Sequence, residues 1–76
     1  MYKDYVSFII NGKEVIVISD DVNGTLNTIV EIDSNMHYMG DEQPSIATAI
    51  CAWQDYNVRD LSDEELHHIM VDNKLI

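Results

Sequence analysis

Two Asn-Gly pairs, Asn11-Gly12 and Asn23-Gly24, punctuate one apolar run near the start of the chain. Asn-Gly between alternating apolar residues is the strongest local hairpin signal, because a type I′ turn needs positive φ at both central positions. Each pair fixes a register of its own. Taking Asn11-Gly12 as a two-residue loop sets Ile10 opposite Lys13, Phe8 opposite Val15 and Val6 opposite Val17. Taking Asn23-Gly24 likewise sets Val22 opposite Thr25, Val17 opposite Val30 and Val15 opposite Ile32. Side chains alternate faces along a strand, so both registers put Val6, Phe8, Ile10, Val15, Val17, Val30 and Ile32 on one face. The other face receives Tyr5, Ser7, Ile9, Glu14, Ile16, Ile18, Asn27, Ile29 and Glu31, a mixed set. A slip of one residue in either turn would break the agreement. The two registers predict three antiparallel strands near 4–10, 13–20 and 25–33, with Val17 on the central one.

The third strand has a helical competitor, because Leu26, Ile29, Val30 and Asp33 also share a helical face behind a capping Thr25. The β-branched residues Thr25, Thr28, Ile29, Val30 and Ile32 favour the strand. Beyond it, Met36, His37, Tyr38 and Met39 either extend the third strand or form a short fourth, ended by Gly40 and Asp41.

The second half has helical spacing. Pro44 suits a first helical position, and Ile46, Ala49, Ile50, Trp53 and Tyr56 form one apolar stripe. Asp41 and Glu42, just ahead, favour the positive end of that helix's dipole. A second helix starts at "LSDEEL", where Ser62 and Glu65 form a capping box and Leu61 and Leu66 take the staple positions. Leu66, Ile69 and Met70 supply its apolar face, and Leu75 or Ile76 is expected to pack back. The predicted fold is α+β: a three-stranded antiparallel meander followed by two helices packed on one face of the sheet, βββαα, in one domain.

With 76 residues, such a domain buries only ~60% of its unfolded surface and has little room for a cavity of the usual ~300 Å³. Catalysis finds no support in the motifs either. There is no G-x-S-x-G, P-loop or G-x-G-x-x-G, and the acids do not follow EF-hand spacing. His67 and His68 are adjacent on a helix, about 100° apart, and cannot easily share an ion. A solvent-facing His67 and a partly packed His68 are expected. The single cysteine, Cys51, sits among apolar residues and reads as a buried structural thiol. No enzyme activity, metal or cofactor is expected, and the lack of a signal peptide or long apolar run reads as a cytoplasmic chain.

Charge is the extreme. The chain holds 14 acids against 4 bases, a net −10, beyond the magnitude of ~2–8 usual for a small soluble domain. From Asp20 to Glu65 there are 11 acids and one base, Arg59. Direct binding of nucleic acid or of an anionic membrane is excluded by such a field. The acids concentrate at predicted turns and helix starts: Asp20 and Asp21 by the second turn, Asp41 and Glu42 before the first helix, Asp60, Asp63, Glu64 and Glu65 at the second. A charge run usually means a solvated surface. Carboxylates fixed on turns, without interleaved lysines, can instead imitate phosphates for a basic groove.

Two stretches, "PSIATAICAWQDYN" with Ser45-Ile46 opening a helix and Ala52-Trp53 on its later turn, and "DEELHHIM", resemble the anti-CRISPR proteins of phages. The layout is most similar to acidic members that inhibit Cas9 by occupying its protospacer-adjacent-motif site as DNA mimics. This sequence lacks the helix that precedes the first strand there. The resemblance implies a phage inhibitor acting in the host cytoplasm on a CRISPR-Cas effector, or on another nucleic-acid-binding defence protein with a basic groove. By position it also implies that Asp20, Asp21, Asn23, Asp60, Asp63, Glu64 and Glu65 face the effector. The other expectation is a small acidic interaction or regulatory module whose charge only confers solubility.

Overall fold

A computed structural model describes residues 4–22, 24–57 and 60–76. Four strands, β1 (Asp4–Ile10), β2 (Lys13–Val22), β3 (Thr25–Ile32) and β4 (Asn35–Tyr38), precede two helices, α1 (Ile46–Asn57) and α2 (Asp63–Asp72). The strands form one antiparallel sheet in the order β1-β2-β3-β4. Both turn registers hold: Val17 pairs with Val6 on one side and Val30 on the other. Residues 25–32 are strand, as their β-branched side chains favour.

The meander has one strand more than the three expected. Asp33 and Ser34 both take positive φ, 51° and 66°, and close a third two-residue turn that sets Ile32 opposite Asn35. Asp tolerates that conformation moderately and Ser poorly, so the dipeptide carries none of the Asn-Gly signal. Tertiary fixings replace it. The ammonium of Lys13 donates to Asp33 at 2.6 Å, and this bond holds the Lys13 pKa above its ordinary value. Lys13 also stands 5.9 Å from the Trp53 ring centroid.

The core lies between one sheet face and the helices. Ile10, Val15, Val17, Val30 and Ile32 meet Ala49, Ala52 and Trp53 of α1 and Leu61 and Ile69 from the α2 region in a single cluster. The expected apolar stripe of α1 is therefore real. Its start is not where Pro44 suggested. Ser45 is the cap, its hydroxyl accepting from the Thr48 N–H at 3.3 Å, and Ile46 is the first helical residue. Cys51 lies off the stripe and is exposed, not buried, since two residues from Ala49 turns it about 200° away from the core face.

The α2 start forms as read. Ser62 accepts from the Glu65 N–H at 3.2 Å and donates its own N–H to the Glu65 carboxylate at 3.1 Å. At the other end the expectation fails. Leu75 and Ile76 are 43% and 70% exposed, and the docking contact is polar. The Asn73 side chain accepts the Ile9 N–H at 2.7 Å and donates to the Ile9 carbonyl at 2.7 Å and the Ile69 carbonyl at 2.8 Å. It replaces a neighbouring strand at the β1 edge.

Candidate functional site

The predicted partner-facing residues do not gather on one surface. The structure sorts them into two poles. β2 runs two residues past its expected end, so Asp21 joins Asp20 within the strand beside the second turn. Consecutive strand residues point to opposite faces. Asp20, paired with Asn27, lies on the face away from the helices, and Asp21, paired with Leu26, on the helix side. Asp21 joins Asp4, Ser19, Gly24 and Leu26 around an open concavity there. Asn23 lies outside the described residues.

Asp41 and Glu42 belong to this first pole. Thr28, paired with Ser19, donates its hydroxyl to the Glu42 carbonyl. That tie holds the loop beside the second turn, with both carboxylates exposed. The loop is fixed at its other end by the Thr48 hydroxyl, which donates to the Gln43 carbonyl at 2.7 Å. Neither acid enters the first turn of α1, so the dipole gain expected of them, which fades beyond that turn, is slight.

The second pole is the start of α2. Asp60, Asp63 and Glu64 are exposed there, and Glu65 is engaged twice, in the capping box and with the Asn11 amide at 3.4 Å. The Asn11 bond places this pole at the first turn, on the far end of β2 from Asp20. Ten residues of strand at ~3.3 Å each separate the poles by roughly 30 Å, in a body measuring 40 × 26 × 19 Å. His67 and His68 are both exposed; His68, expected to be partly packed, stands 3.9 Å from the Glu64 carboxylate.

The residues expected on the sheet's outer face are found there, and the fourth strand adds Met36 and Tyr38, which sequence reading did not place. The third turn completes a row across all four strands, Tyr5–Ile18–Ile29–Tyr38. Beside it runs Ser7–Ile16–Glu31–Met36, then Ile9–Glu14. None of these side chains belongs to the helix-side core. The missing signal was the Asp33-Ser34 turn, since without its register Tyr38 has no place beside Ile29.

Among the described residues no three His, Cys, Asp or Glu are grouped so as to hold a metal ion. No helix there is long and apolar enough to cross a membrane. No protein-family model matches the chain, and no curated protein or solved structure matches it.

Proposed function

We propose that this chain is an acidic inhibitor of the anti-CRISPR kind, phage-encoded, that seats in a basic nucleic-acid groove of a CRISPR-Cas effector or another host defence protein. The carrying observation is the placement of acids, exposed apart from the half-buried Asp20, at both ends of an elongated, net −10 body. Asp20, Asp21, Asp41 and Glu42 serve one end of it, and Asp60, Asp63 and Glu64 the other, each offering a carboxylate to lysine or bidentate arginine. No direct nucleic-acid or membrane binding belongs to this reading, and the site of action is the host cytoplasm.

A second reading, an interaction module whose charge only keeps it soluble, draws support from the division of acids between two poles. The test is a competition assay of labelled target DNA on a panel of CRISPR effectors. Displacement that weakens steeply with salt supports the inhibitor. No displacement from any effector, with a single nonbasic partner captured instead, supports the module.

A further inference from the structure

We propose that the outer sheet face is a docking surface for a protein partner presenting apolar side chains flanked by lysine or arginine. This rests on the reading of the chain as a binder of basic proteins, and it adds an apolar contact surface to the acidic poles. The helices cover only the other face, yet the outer face is rich in apolar side chains. Tyr5 and Tyr38 stand 68% and 67% exposed at the two edges, and Met36 is exposed beside Tyr38. Between the tyrosines in that row, Ile18 is 4% exposed although it lies on the face away from the helices. The Tyr38 hydroxyl donates to the Asn27 carboxamide oxygen, which fixes the ring across β3 before any partner arrives. Exposed tyrosines beside packed aliphatic residues, one of them held in place, are what interface hot spots are made of.

Charge decides the occupant. Among its described residues this face carries three carboxylates, Asp20 on one side of the tyrosine row and Glu31 and Glu14 on the other, and no lysine or arginine. A second copy would bring the same three acids against them, on a protein of net −10. Area argues the same way. Four strands ~4.8 Å apart make an apolar strip of roughly 300–400 Å², well short of the ~800 Å² each partner gives a stable complex. The remainder has to come from the acidic rim, which self-association would leave repelling and a basic partner would satisfy.

The probe is a 12-residue peptide alternating leucine and lysine, compared with one alternating serine and lysine of equal charge. Binding is followed by amide chemical shifts at about 150 mM salt, where bare charge attraction is largely screened. The leucine peptide is expected to bind about tenfold tighter, with shifts centred on Tyr5, Ile18, Ile29 and Tyr38. The double variant Tyr5→Ser, Tyr38→Ser, whose side chains are outside the core, should melt near the parent and bind the two peptides equally. Equal binding of the peptides to the parent, or shifts confined to the poles or the β1 edge, overturns the docking face and leaves the acidic-inhibitor reading standing. A dimer at ~1 M salt that the tyrosine variant abolishes overturns it too, by naming a second copy as the occupant. If the face binds as described while no effector is inhibited, the inhibitor reading falls and the docking face stands.

Discussion

Asn73 spends every hydrogen-bonding atom of its amide on two elements, two bonds to Ile9 and one to Ile69. Residue 73 thereby does the work of a missing strand. An unpaired edge invites another chain, and here the Ile9 N–H and carbonyl are already occupied. Replacing Asn73 with Ala strips two bonds from half-buried Ile9 and one from buried Ile69. It should cost about 2 kcal/mol, read as a lower urea midpoint, and promote association through β1, read by sedimentation. A variant as stable and monomeric as the parent would show the contact to be incidental. Ser62 offers a second residue-scale test. Its hydroxyl holds the Glu65 N–H, so Ser62→Ala should lose about 1 kcal/mol, seen in the melting temperature. Lys13 contributes in the opposite pH sense to a carboxylate. Its raised pKa means that the Asp33 bond supports the fold at neutral pH and fades only as the pH climbs through that alkaline value. Lys13→Met should accordingly narrow the stability gap between neutral and strongly alkaline pH in melting curves.

At the scale of elements, legibility followed the strength of the local signal. Asn-Gly fixes a turn by backbone preference alone, so β1, β2 and β3 and their facing residues could be read from the chain. The capping box at Ser62 is equally local. Asp33-Ser34 is different, because its positive φ values are held by Lys13 and by the pairing of β4, neither visible in a run of residues. The consequences spread: a run of residues does not decide between an extended third strand and a fourth, nor place Tyr38 and Met36 on the outer face. Ser34→Gly should relieve the strained position and raise stability by about 0.5–1 kcal/mol, measured by chemical denaturation. Unchanged or lower stability would mean the serine is not strained there. The helix boundaries were missed for a related reason. Pro44 fits a first helical position, but Ser45, one residue on, satisfies the Thr48 N–H and moves the start. At the C-terminus, Leu75 or Ile76 is the apolar residue expected to pack back, while the polar Asn73 makes the contact.

For the whole molecule, charge magnitude was legible and charge placement was not. Composition gave −10, but strand parity put Asp20 and Asp21 on opposite faces, and the length of β2 put the α2 acids at the far end. The result is a bar with two acidic poles and an apolar outer face between them. Such a bar should use both poles if it occupies a groove along its length. The most direct measurement is displacement of labelled target DNA from the susceptible effector by three proteins: the parent, Asp20→Lys/Asp21→Lys, and Asp63→Lys/Glu64→Lys, each first shown by circular dichroism to keep the fold. The account predicts displacement by the parent, falling as salt rises, and little or none by either charge-reversed protein. Displacement by both variants as strong as the parent's would contradict it, and would leave the acids with solubility as their whole role.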